Sequence, residues 1–151
     1  MRCVVQRVTG ATLRVVEEGR EREHAAIGPG LCVMVGVERD DSETDLAWAA
    51  PKIAHLRIFE DEQGKMNRSV LDTGGGALLV PNFTVAGDAR KGRRPSFDNA
   101  MRPPEAAAMF DALCAAVAGE GVPVQAGVFG ADMRVELVND GPITIWLDSR
   151  R

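Results

Sequence analysis

The chain has 151 residues, a length that suits one domain and allows roughly 68–70% of the unfolded surface to be buried on folding. Hydrophobic residues make up 45% and charged residues 26%, an ordinary globular composition that excludes a disordered or fibrous chain. The formal net charge of −4 argues against a surface that is basic throughout, but it is compatible with a local basic patch.

The N-terminal part of the chain predicts strands. Residues 3–8 (CVVQRV) and 11–16 (ATLRVV) predict two antiparallel strands, and the charged residues 17–24 (EEGREREH) predict the tip of a hairpin. A GPG turn at 28–30 precedes residues 31–37 (LCVMVGV), a nearly continuous apolar run. Such a run is typical of a central strand that is buried on both faces.

Two segments have the features of helices. Ser42 and Asp45 resemble a capping box, and apolar residues recur after them at helical spacing. Pro51 interrupts this pattern, and because proline inside a helix costs on the order of 3 kcal/mol, the helix is expected to kink or begin again there. A second helix is expected to begin at the prolines 103–104 and to end at Gly119.

The other segments read as strands and turns. Residues 57–65 predict a strand and a turn, residues 77–85 a buried strand, and the C-terminal part about three more strands, VPVQAGVF, MRVELVN and PITIWLD. The predicted order is two strands, two strand–helix units and three strands. We therefore expect a single α+β domain over residues 1–151, with a mixed sheet and two main helices.

The junction between the last two predicted strands is unusual. Asn139, Asp140 and Gly141 make a good hairpin turn, but Pro142 follows directly. Proline fixes φ, removes a ladder donor and restricts the residue before it, and a plain hairpin needs none of these effects. Strand rules alone leave the Gly141–Pro142 bond unexplained.

Cysteine and histidine usage predicts neither a disulfide framework nor a metal site. Cys3, Cys32 and Cys114 lie far apart in apolar runs and are expected to be reduced and buried. His24 and His55 are isolated, so we expect no metal and no cofactor. No apolar stretch is long enough to cross a bilayer and no signal peptide is evident, which predicts a cytoplasmic protein without membrane contact.

Two polar segments could contact phosphate. TGGG (73–76) precedes a strand instead of opening a helix, which favours a turn over a nucleotide-binding loop. Arg90, Lys91, Arg93 and Arg94 fall within five residues of an otherwise acidic chain. Charge alone fits a solvated loop equally well, but the neighbouring segment PNFT (81–84) favours contact with a nucleic-acid backbone.

PNFT lies at the end of a predicted strand. Thr84 is the obvious hydroxyl nucleophile, but no His or Lys lies nearby in sequence to activate it, which favours a structural role. Successive backbone N–H groups at a strand end can instead form an oxyanion hole. Phe83 fits either a core position or a stacking face for a base.

These segments together resemble the D-aminoacyl-tRNA deacylase family, whose signatures are Ser-Gln-Phe-Thr and Asn-x-Gly-Pro-x-Thr. They correspond here to residues 81–84 (PNFT) and 139–144 (NDGPIT). The likeness runs along the whole chain, through MRCVVQRVTGAT, RIFEDEQGKMN, KGRRPSF and FGADMRVELVNDGPITIWLDS.

The resemblance implies a fold, a reaction and a partner. It implies a homodimer that hydrolyses the ester joining a D-amino acid, or glycine, to the 3′-terminal adenosine of tRNA, without a metal. The Gly141–Pro142 bond would be cis and inserted into the partner's active site, with both carbonyl oxygens turned toward the substrate ammonium group. An L-side chain would then collide with this wall, so the pair would serve translation as a chiral gate.

The resemblance also assigns residues. The main-chain N–H groups of Phe83 and Thr84 would polarise the ester carbonyl while the tRNA 2′-hydroxyl assists water, with Thr84 as a covalent nucleophile in second place. Asn82, Asn139 and Met133 would belong to the substrate pocket, although a bare Met is more often a core residue. The candidates for contact with tRNA phosphates are Lys91, Arg93 and Arg94.

The chain departs from the family pattern at one place. Pro81 and Asn82 replace the family's Ser and Gln, so any contact that needs that hydroxyl or the longer amide is in question, whereas backbone catalysis would survive. Proline at this position partly resembles the related animal-type deacylase, in which the Gly-Pro bond is trans and certain L-aminoacyl-tRNAs are edited. Phe83 favours the D-specific enzyme.

Three alternatives remain open at the level of sequence. One is a tRNA-binding homologue that has lost catalysis, suggested by Pro81 and Asn82. Another is the L-editing relative, with a trans Gly141–Pro142 bond. The last is an esterase that uses the Thr84 hydroxyl on a substrate other than RNA.

Overall fold

The computed structural model describes residues 1–150, which form a mixed α+β fold with two main helices, as predicted. The Phe83–Ala86 segment is a short 3₁₀ helix. In chain order the strands and α-helices are β1 (Arg2–Glu17), β2 (Arg20–Ile27), β3 (Gly30–Gly36), α1 (Glu43–His55), β4 (Phe59–Glu60), β5 (Met66–Arg68), α2 (Val70–Thr73), β6 (Gly76–Pro81), α3 (Glu105–Gly119), β7 (Val124–Ala126) and β8 (Met133–Asp148).

The long strand β1 organises the main sheet. Its first half pairs with β3 and its second half with β2, while β8 runs antiparallel along nearly its whole length. The path continues from β3 through β6 to β7 by parallel pairing, which makes the sheet mixed. The sheet curls until β2 approaches β6 and β7.

The N-terminal prediction of two separate strands with a charged tip is wrong in detail. Residues 3–8 and 11–16 belong to the single strand β1, which passes through Gly10 with a shift in its pairing to β8. The tip is only a two-residue turn, in which Glu18 and Gly19 both have positive φ, as a tight hairpin requires. The charged residues after it belong to β2, because an exposed edge strand tolerates charges on both faces.

The predicted hairpin at 139–141 is also wrong. β8 continues through it, and Val8 pairs with Asn139 while Gln6 pairs with Thr144. Residues 140–143 of β8 therefore stand opposite the single residue Arg7 of β1. This insertion is an enlarged β-bulge, which interrupts the ladder without reversing the chain. We call residues 140–143 the Gly-Pro bulge.

The helices follow the predicted start and stop signals with one exception. α1 begins after the Ser42 capping box and runs through Pro51 as one helix, so it does not begin again there, contrary to one of the two expectations. A proline removes only one N–H donor, and the packing of α1 on the core compensates for this loss. α3 begins directly after Pro104 and ends at Gly119, as predicted.

The sheet has a buried layer on each face. On one face, α1 and α3 cover Val5, Val33 and Leu79 to form the larger core. On the other face, inside the curl, Leu13 and Leu78 belong to a second cluster of buried residues. β3 is therefore buried on both faces, which confirms the interpretation of its continuous apolar sequence.

Two smaller predictions are also confirmed. TGGG is a turn, since Thr73 ends α2 and Gly74 caps it in the left-handed conformation. All three cysteines are free; Cys3 and Cys32 are fully buried as expected, whereas Cys114 is only half-buried. Burial raises the pKa of the Cys3 thiol to about 12 and that of Cys32 to about 11, so both are protonated at neutral pH.

Candidate active site

A buried arginine anchors the Gly-Pro bulge. Arg7 is only 7% exposed. Its Nε donates to the main-chain oxygen of Asp140 at 3.2 Å and lies 3.1 Å from the Asp140 carboxylate. Its Nη1 donates to the buried carbonyl of Ile58 at 2.8 Å. The guanidinium thus ties one side of the bulge to the body of the fold.

Asn139 braces the other side of the bulge. Its Nδ2 donates to the Ile143 carbonyl at 2.9 Å, and its Oδ1 accepts from the Ile143 N–H at 3.0 Å. The amide therefore pairs with both backbone groups of Ile143, as a neighbouring strand would. These two hydrogen bonds join the two ends of the bulge, and they occupy both the donor and the acceptor of the Asn139 side chain.

Position 141 requires glycine for two reasons: its backbone conformation is one that side chains rarely adopt, and there is no room for a Cβ atom. Gly141 has φ +131°, a region that side chains rarely adopt. A Cβ there would lie 2.7 Å from Ile143 Cγ1 and 2.8 Å from its nitrogen. Gly141 and Pro142 are both exposed, and the bond between them is cis, as the family resemblance implied.

A pocket of about 390 Å³ opens where β6 ends against the start of β8. It brings together Asn82, Phe83 and Met133, which are distant in sequence. Met133 is fixed because its Sδ accepts from the Val128 N–H at 3.4 Å. Gly127 packs beneath it, and a Cβ there would lie 3.0 Å from the Met133 sulfur and from Pro81 Cδ.

The PNFT segment forms the rim of this pocket. Asn82 caps the 3₁₀ helix: its Oδ1 accepts from the Thr84 N–H at 3.2 Å and from the Thr84 hydroxyl at 2.5 Å. The Thr84 hydroxyl therefore donates to an amide oxygen, and among residues 1–150 it contacts no base that could deprotonate it.

The Phe83 backbone is the available donor at the rim. Its N–H is the first in the 3₁₀ helix and has no hydrogen-bond partner among residues 1–150. The Phe83 side chain is 57% exposed, an unusual state for a large apolar residue. An unpaired amide beside an exposed aromatic ring is suited to bind a carbonyl oxygen and a planar ligand.

The bulge and the pocket are separate in one protomer. Within the described part of the chain, none of residues 140–143 lines the pocket. The structure thus brings Asn82, Phe83 and Met133 together, but leaves Gly141 and Pro142 outside their pocket. Thr84 lies at the surface just behind the rim.

The basic residues lie in an exposed loop that reaches the same rim. We call residues 88–97 the basic loop; its base is closed by two 2.8 Å backbone hydrogen bonds between Asp88 and Ser96. At its end the Phe97 ring contacts the Phe83 ring, with centroids 5.1 Å apart and an edge-on angle of 74°. Three exposed basic side chains of the loop have no acidic partner among residues 1–150: Lys91, Arg93 and Arg94.

Sequence reasoning missed Arg7. It occupies the inward position of an alternating series with Cys3 and Val5, both of which are buried. A charged residue at a position that faces the core requires a buried partner, and this signal was available in the pattern. Gly127 carried no such signal, because its role depends on two distant segments meeting above it.

Residues 1–150 hold neither a metal-binding cluster nor a membrane-spanning helix. Residues 1–150 contain no group of three or more His, Cys, Asp or Glu side chains arranged to hold a metal ion. None of the described helices is long and apolar enough to cross a membrane.

The sequence is similar to a known family along nearly its whole length. The family model described as D-Tyr-tRNA(Tyr) deacylase matches residues 4–148. A D-aminoacyl-tRNA deacylase of Thermomicrobium roseum is 53% identical over 149 residues, covering 99% of this chain and 94% of the relative. The one from Anaeromyxobacter dehalogenans is 53% identical over 151 residues, covering 100% and 99%.

Solved structures share the fold. The c-Myc DNA unwinding element binding protein superimposes with a TM-score of 0.89 at 37% identity, covering 98% of each chain. A probable eukaryotic D-amino acid tRNA deacylase superimposes with a TM-score of 0.81 over 97% of each chain. At 20% identity this second likeness concerns the fold alone.

Proposed function

Since this chain belongs to the D-aminoacyl-tRNA deacylase family of ester hydrolases, we propose that it cleaves the ester between a D-amino acid and the 3′-terminal adenosine of tRNA. Glycyl-tRNA is a second substrate, and L-aminoacyl-tRNA is spared. The products are the free amino acid and tRNA. The Gly-Pro bulge carries this proposal, because it is an exposed segment held by Arg7 and Asn139 in one position.

Chiral selection follows from the rigidity of that segment. If Gly141 and Pro142 fix the substrate ammonium group while the rim fixes the ester carbonyl, the α-hydrogen and the side chain of the bound amino acid can each occupy only one position. Exchanging them drives an L-side chain into the bulge, and glycine has no side chain to reject. A thousandfold preference requires about 4 kcal/mol, which a collision with an immobile wall supplies more readily than an added attraction.

The chemical step uses the backbone at the rim. The unpaired Phe83 N–H donates to the carbonyl oxygen and stabilises the charge that develops on it. The Thr84 N–H contributes second, because it already donates to Asn82 at a long 3.2 Å and can be shared. The 2′-hydroxyl of the terminal ribose assists the attacking water. Thr84 ranks below this route as a nucleophile, because its hydroxyl contacts only Asn82.

The complete site requires two copies of the chain. The pocket of one protomer lacks the bulge, and the bulge of that protomer lies exposed outside its own pocket. β8 pairs with β1 on one side only, and it carries Val138 at 61% exposure together with the half-buried Val135 and Leu137. A twofold homodimer would cover this strand and insert each bulge into the partner's pocket.

The remaining assignments follow from the family and the charge distribution. Residues 1–151 form one deacylase domain, since the family model and the relatives extend over nearly the whole chain. The proposed compartment is the cytoplasm, where aminoacyl-tRNA is used in translation. The exposed charges of Lys91, Arg93 and Arg94 bind tRNA phosphates near the rim. Met133 forms part of the pocket wall, and Asn82 and Asn139 act by holding the rim and the bulge.

The direct test is a deacylation assay with paired D- and L-tyrosyl-tRNA and with glycyl-tRNA. We expect the purified, metal-free protein to hydrolyse the D-ester and the glycyl ester and to leave the L-ester intact. Binding of D-tyrosyl-tRNA without turnover at enzyme excess would instead identify a non-catalytic homologue, the alternative suggested by Pro81 and Asn82. Preferential hydrolysis of an L-ester would identify an editing relative.

A further inference from the structure

We propose that Phe97, the last residue of the basic loop, is a positioning residue for the hydrolysis: its ring holds the 3₁₀ helix so that the Phe83 N–H is directed at the ester carbonyl. The proposal rests on the proposed function, because it takes this N–H as the donor to the carbonyl oxygen. Among residues 1–150, Phe97 is not one of those that line the pocket. Its effect on the reaction therefore passes through Phe83.

The ring of Phe97 contacts both ends of the 3₁₀ helix. At the first residue it meets the Phe83 ring edge-on, with centroids 5.1 Å apart. At the other end it packs on Gly87, which caps the helix. A Cβ on Gly87 would lie 2.9 Å from Phe97 Cε1 and 3.3 Å from Cδ1, so the missing side chain makes room for the ring. One aromatic ring thus spans the helix that carries the Phe83 N–H.

The two ends of the helix are held unequally without this ring. Ala86 is fully buried, and a Cβ on Gly36 would lie only 2.9 Å from its nitrogen. At the other end, the Phe83 side chain is more than half exposed and the Phe83 N–H is unpaired within residues 1–150. Hydrogen bonds in a 3₁₀ helix are poorly aligned, so a helix of four residues does not fix the direction of its first N–H by itself. Packing of Phe97 supplies this restraint.

Phe97 is fixed by main-chain contacts at the base of the loop. It follows directly after the Asp88–Ser96 pair, and its carbonyl accepts from the Ala100 N–H at 3.0 Å. These contacts are independent of the three unpaired basic side chains, which lie between the two closing residues. The loop is therefore divided into a charged tip, suited to binding phosphate, and an aromatic residue at the base that holds the rim.

The size of the effect follows from the geometry of carbonyl polarisation. Removing an oxyanion donor altogether lowers kcat by about 10²- to 10³-fold. Removing the ring of Phe97 leaves the donor present but allows the helix to tilt, so the loss is smaller, about tenfold. It falls on the chemical step, because the ring does not line the pocket that takes the substrate.

The experiment measures Phe97→Ala on D-tyrosyl-tRNA and on the D-tyrosyl ester of adenosine, which has no phosphate for the basic loop to bind. On the tRNA substrate, kcat should fall about tenfold while KM stays within about twofold. On the adenosine ester, kcat/KM should fall by the same factor. Phe97→Tyr keeps the ring and should restore about half of the wild-type kcat or more. Phe97→Leu keeps apolar volume without the ring, and it provides the same comparison if the alanine variant does not fold.

Met66→Ala is the matched control, since Met66 is an exposed apolar residue on the small β4–β5 sheet, and it should leave both activities unchanged. A loss confined to the tRNA substrate or to KM would identify Phe97 as an RNA contact and overturn the proposal. Unchanged kcat in Phe97→Ala, an equal loss in Phe97→Tyr, or a loss that matches the unfolded fraction measured by circular dichroism would also overturn it. Failure of the proposed function gives a different result, because the wild-type protein would then hydrolyse neither ester.

Discussion

The Gly-Pro bulge and the basic loop are both irregular segments, but the protein holds them in opposite ways. The bulge is fixed at both sides by Arg7 and Asn139, with one of these anchors buried. The basic loop is closed only at its base, by the Asp88–Ser96 backbone pair and an exposed ion pair. The same chain thus contains one braced segment and one loosely held segment.

Under the proposed function, the difference corresponds to two kinds of recognition. Distinguishing a D- from an L-amino acid depends on where a wall stands to within a fraction of an ångström, so the bulge must not yield. Attraction between basic side chains and phosphate acts over several ångströms and tolerates motion. On that proposal, rigidity is concentrated where the shape of the amino acid is recognised and is absent where the charge of the phosphates is recognised. Substitutions in the bulge and in the basic loop should therefore have different effects.

The largest effect is expected for Arg7→Ala. It removes the anchor of Asp140 and leaves the buried Ile58 carbonyl without its donor, which should destabilise the protein by about 3 kcal/mol. Urea unfolding measures the stability, and the ratio of D- to L-tyrosyl-tRNA hydrolysis should fall in parallel.

Arg14→Ala is the matched control for Arg7→Ala. Arg14 lies on the same strand and also pairs with β8, through Glu136 at 3.0 Å, but the pair is exposed. Its removal should have a much smaller effect on stability and none on the D/L ratio. Equal effects of the two variants would contradict the special role of the buried anchor.

Gly141→Ala should have the next largest effect. The new Cβ would collide with Ile143 and would occupy a conformation at φ +131°, so the bulge must shift. We expect kcat/KM for D-tyrosyl-tRNA to fall at least tenfold, or L-tyrosyl-tRNA to become a substrate. Gly64→Ala also has positive φ, but nothing lies within 4 Å of its Cβ, and it should leave both activities as they are.

Asn139→Ala tests the second brace. Loss of both hydrogen bonds to Ile143 should cost about 1–2 kcal/mol and relax the D/L ratio by a smaller factor than Arg7→Ala. Asn139→Asp keeps the acceptor for the Ile143 N–H but places a carboxylate oxygen against the Ile143 carbonyl oxygen, so it should relax the D/L ratio at least as much as Asn139→Ala. Unchanged selectivity in both variants would show that the bulge does not depend on this side chain.

Substitutions in the basic loop should affect binding without affecting selectivity. Replacing Lys91, Arg93 or Arg94 by Ala should raise KM for D-tyrosyl-tRNA a few-fold and reduce the salt dependence of binding by about one charge each. The thermal transition and the D/L ratio should not move. Lys65→Ala, on the exposed β4–β5 turn, provides the control of equal charge. A changed D/L ratio in the loop variants would contradict the assignment of selectivity to the bulge and of binding to the basic loop.

The smallest effect concerns the ion pair at the base of the basic loop. The side-chain hydrogen bonds from Arg90 lower the pKa of Asp88 below its ordinary value of 3.8. A lowered pKa means that the pair stabilises the loop above pH 3.8 and that this contribution is lost as the pH falls through the lower folded value. NMR titration of Asp88 should show this shift, and Arg90→Ala should reverse it.

The fold class and the larger elements were predictable because their signals are local. The Ser42 capping box, the prolines before α3 and the apolar run of β3 each produced the expected element. The continuity of β8 was not predictable in this way. Asn-Asp-Gly specifies a reversal by local rules, but pairing with β1 on both sides of residues 140–143 outweighs the turn preference.

The candidate site was predicted less completely than the fold. The motifs indicated the PNFT and Gly-Pro segments, and the pocket does contain Phe83 and Met133. The hydrogen bonds of Asn82 to Thr84 and of Arg7 to the bulge depend on three-dimensional positions that no sequence spacing encodes. The sequence of residues 139–143 alone predicts a turn. The hydrogen bonds that hold these residues depend on the positions of β1 and Ile58 in the folded protein.

In the Gly-Pro bulge, four residues of β8 stand opposite one residue of β1. The bulge therefore also makes the pairing register of one half of β8 with β1 independent of that of the other half. Residues 133–139 pair with β1 from Val8 onward, and residues 144–148 pair with its beginning, so neither half determines where the other must lie. Along the rest of the strand an inserted residue would turn every following side chain to the wrong face. An insertion within the bulge would leave both ladders intact. A fixed length at this point of the family would therefore reflect the contacts of Arg7 and Asn139 with the bulge and not the register of the two ladders.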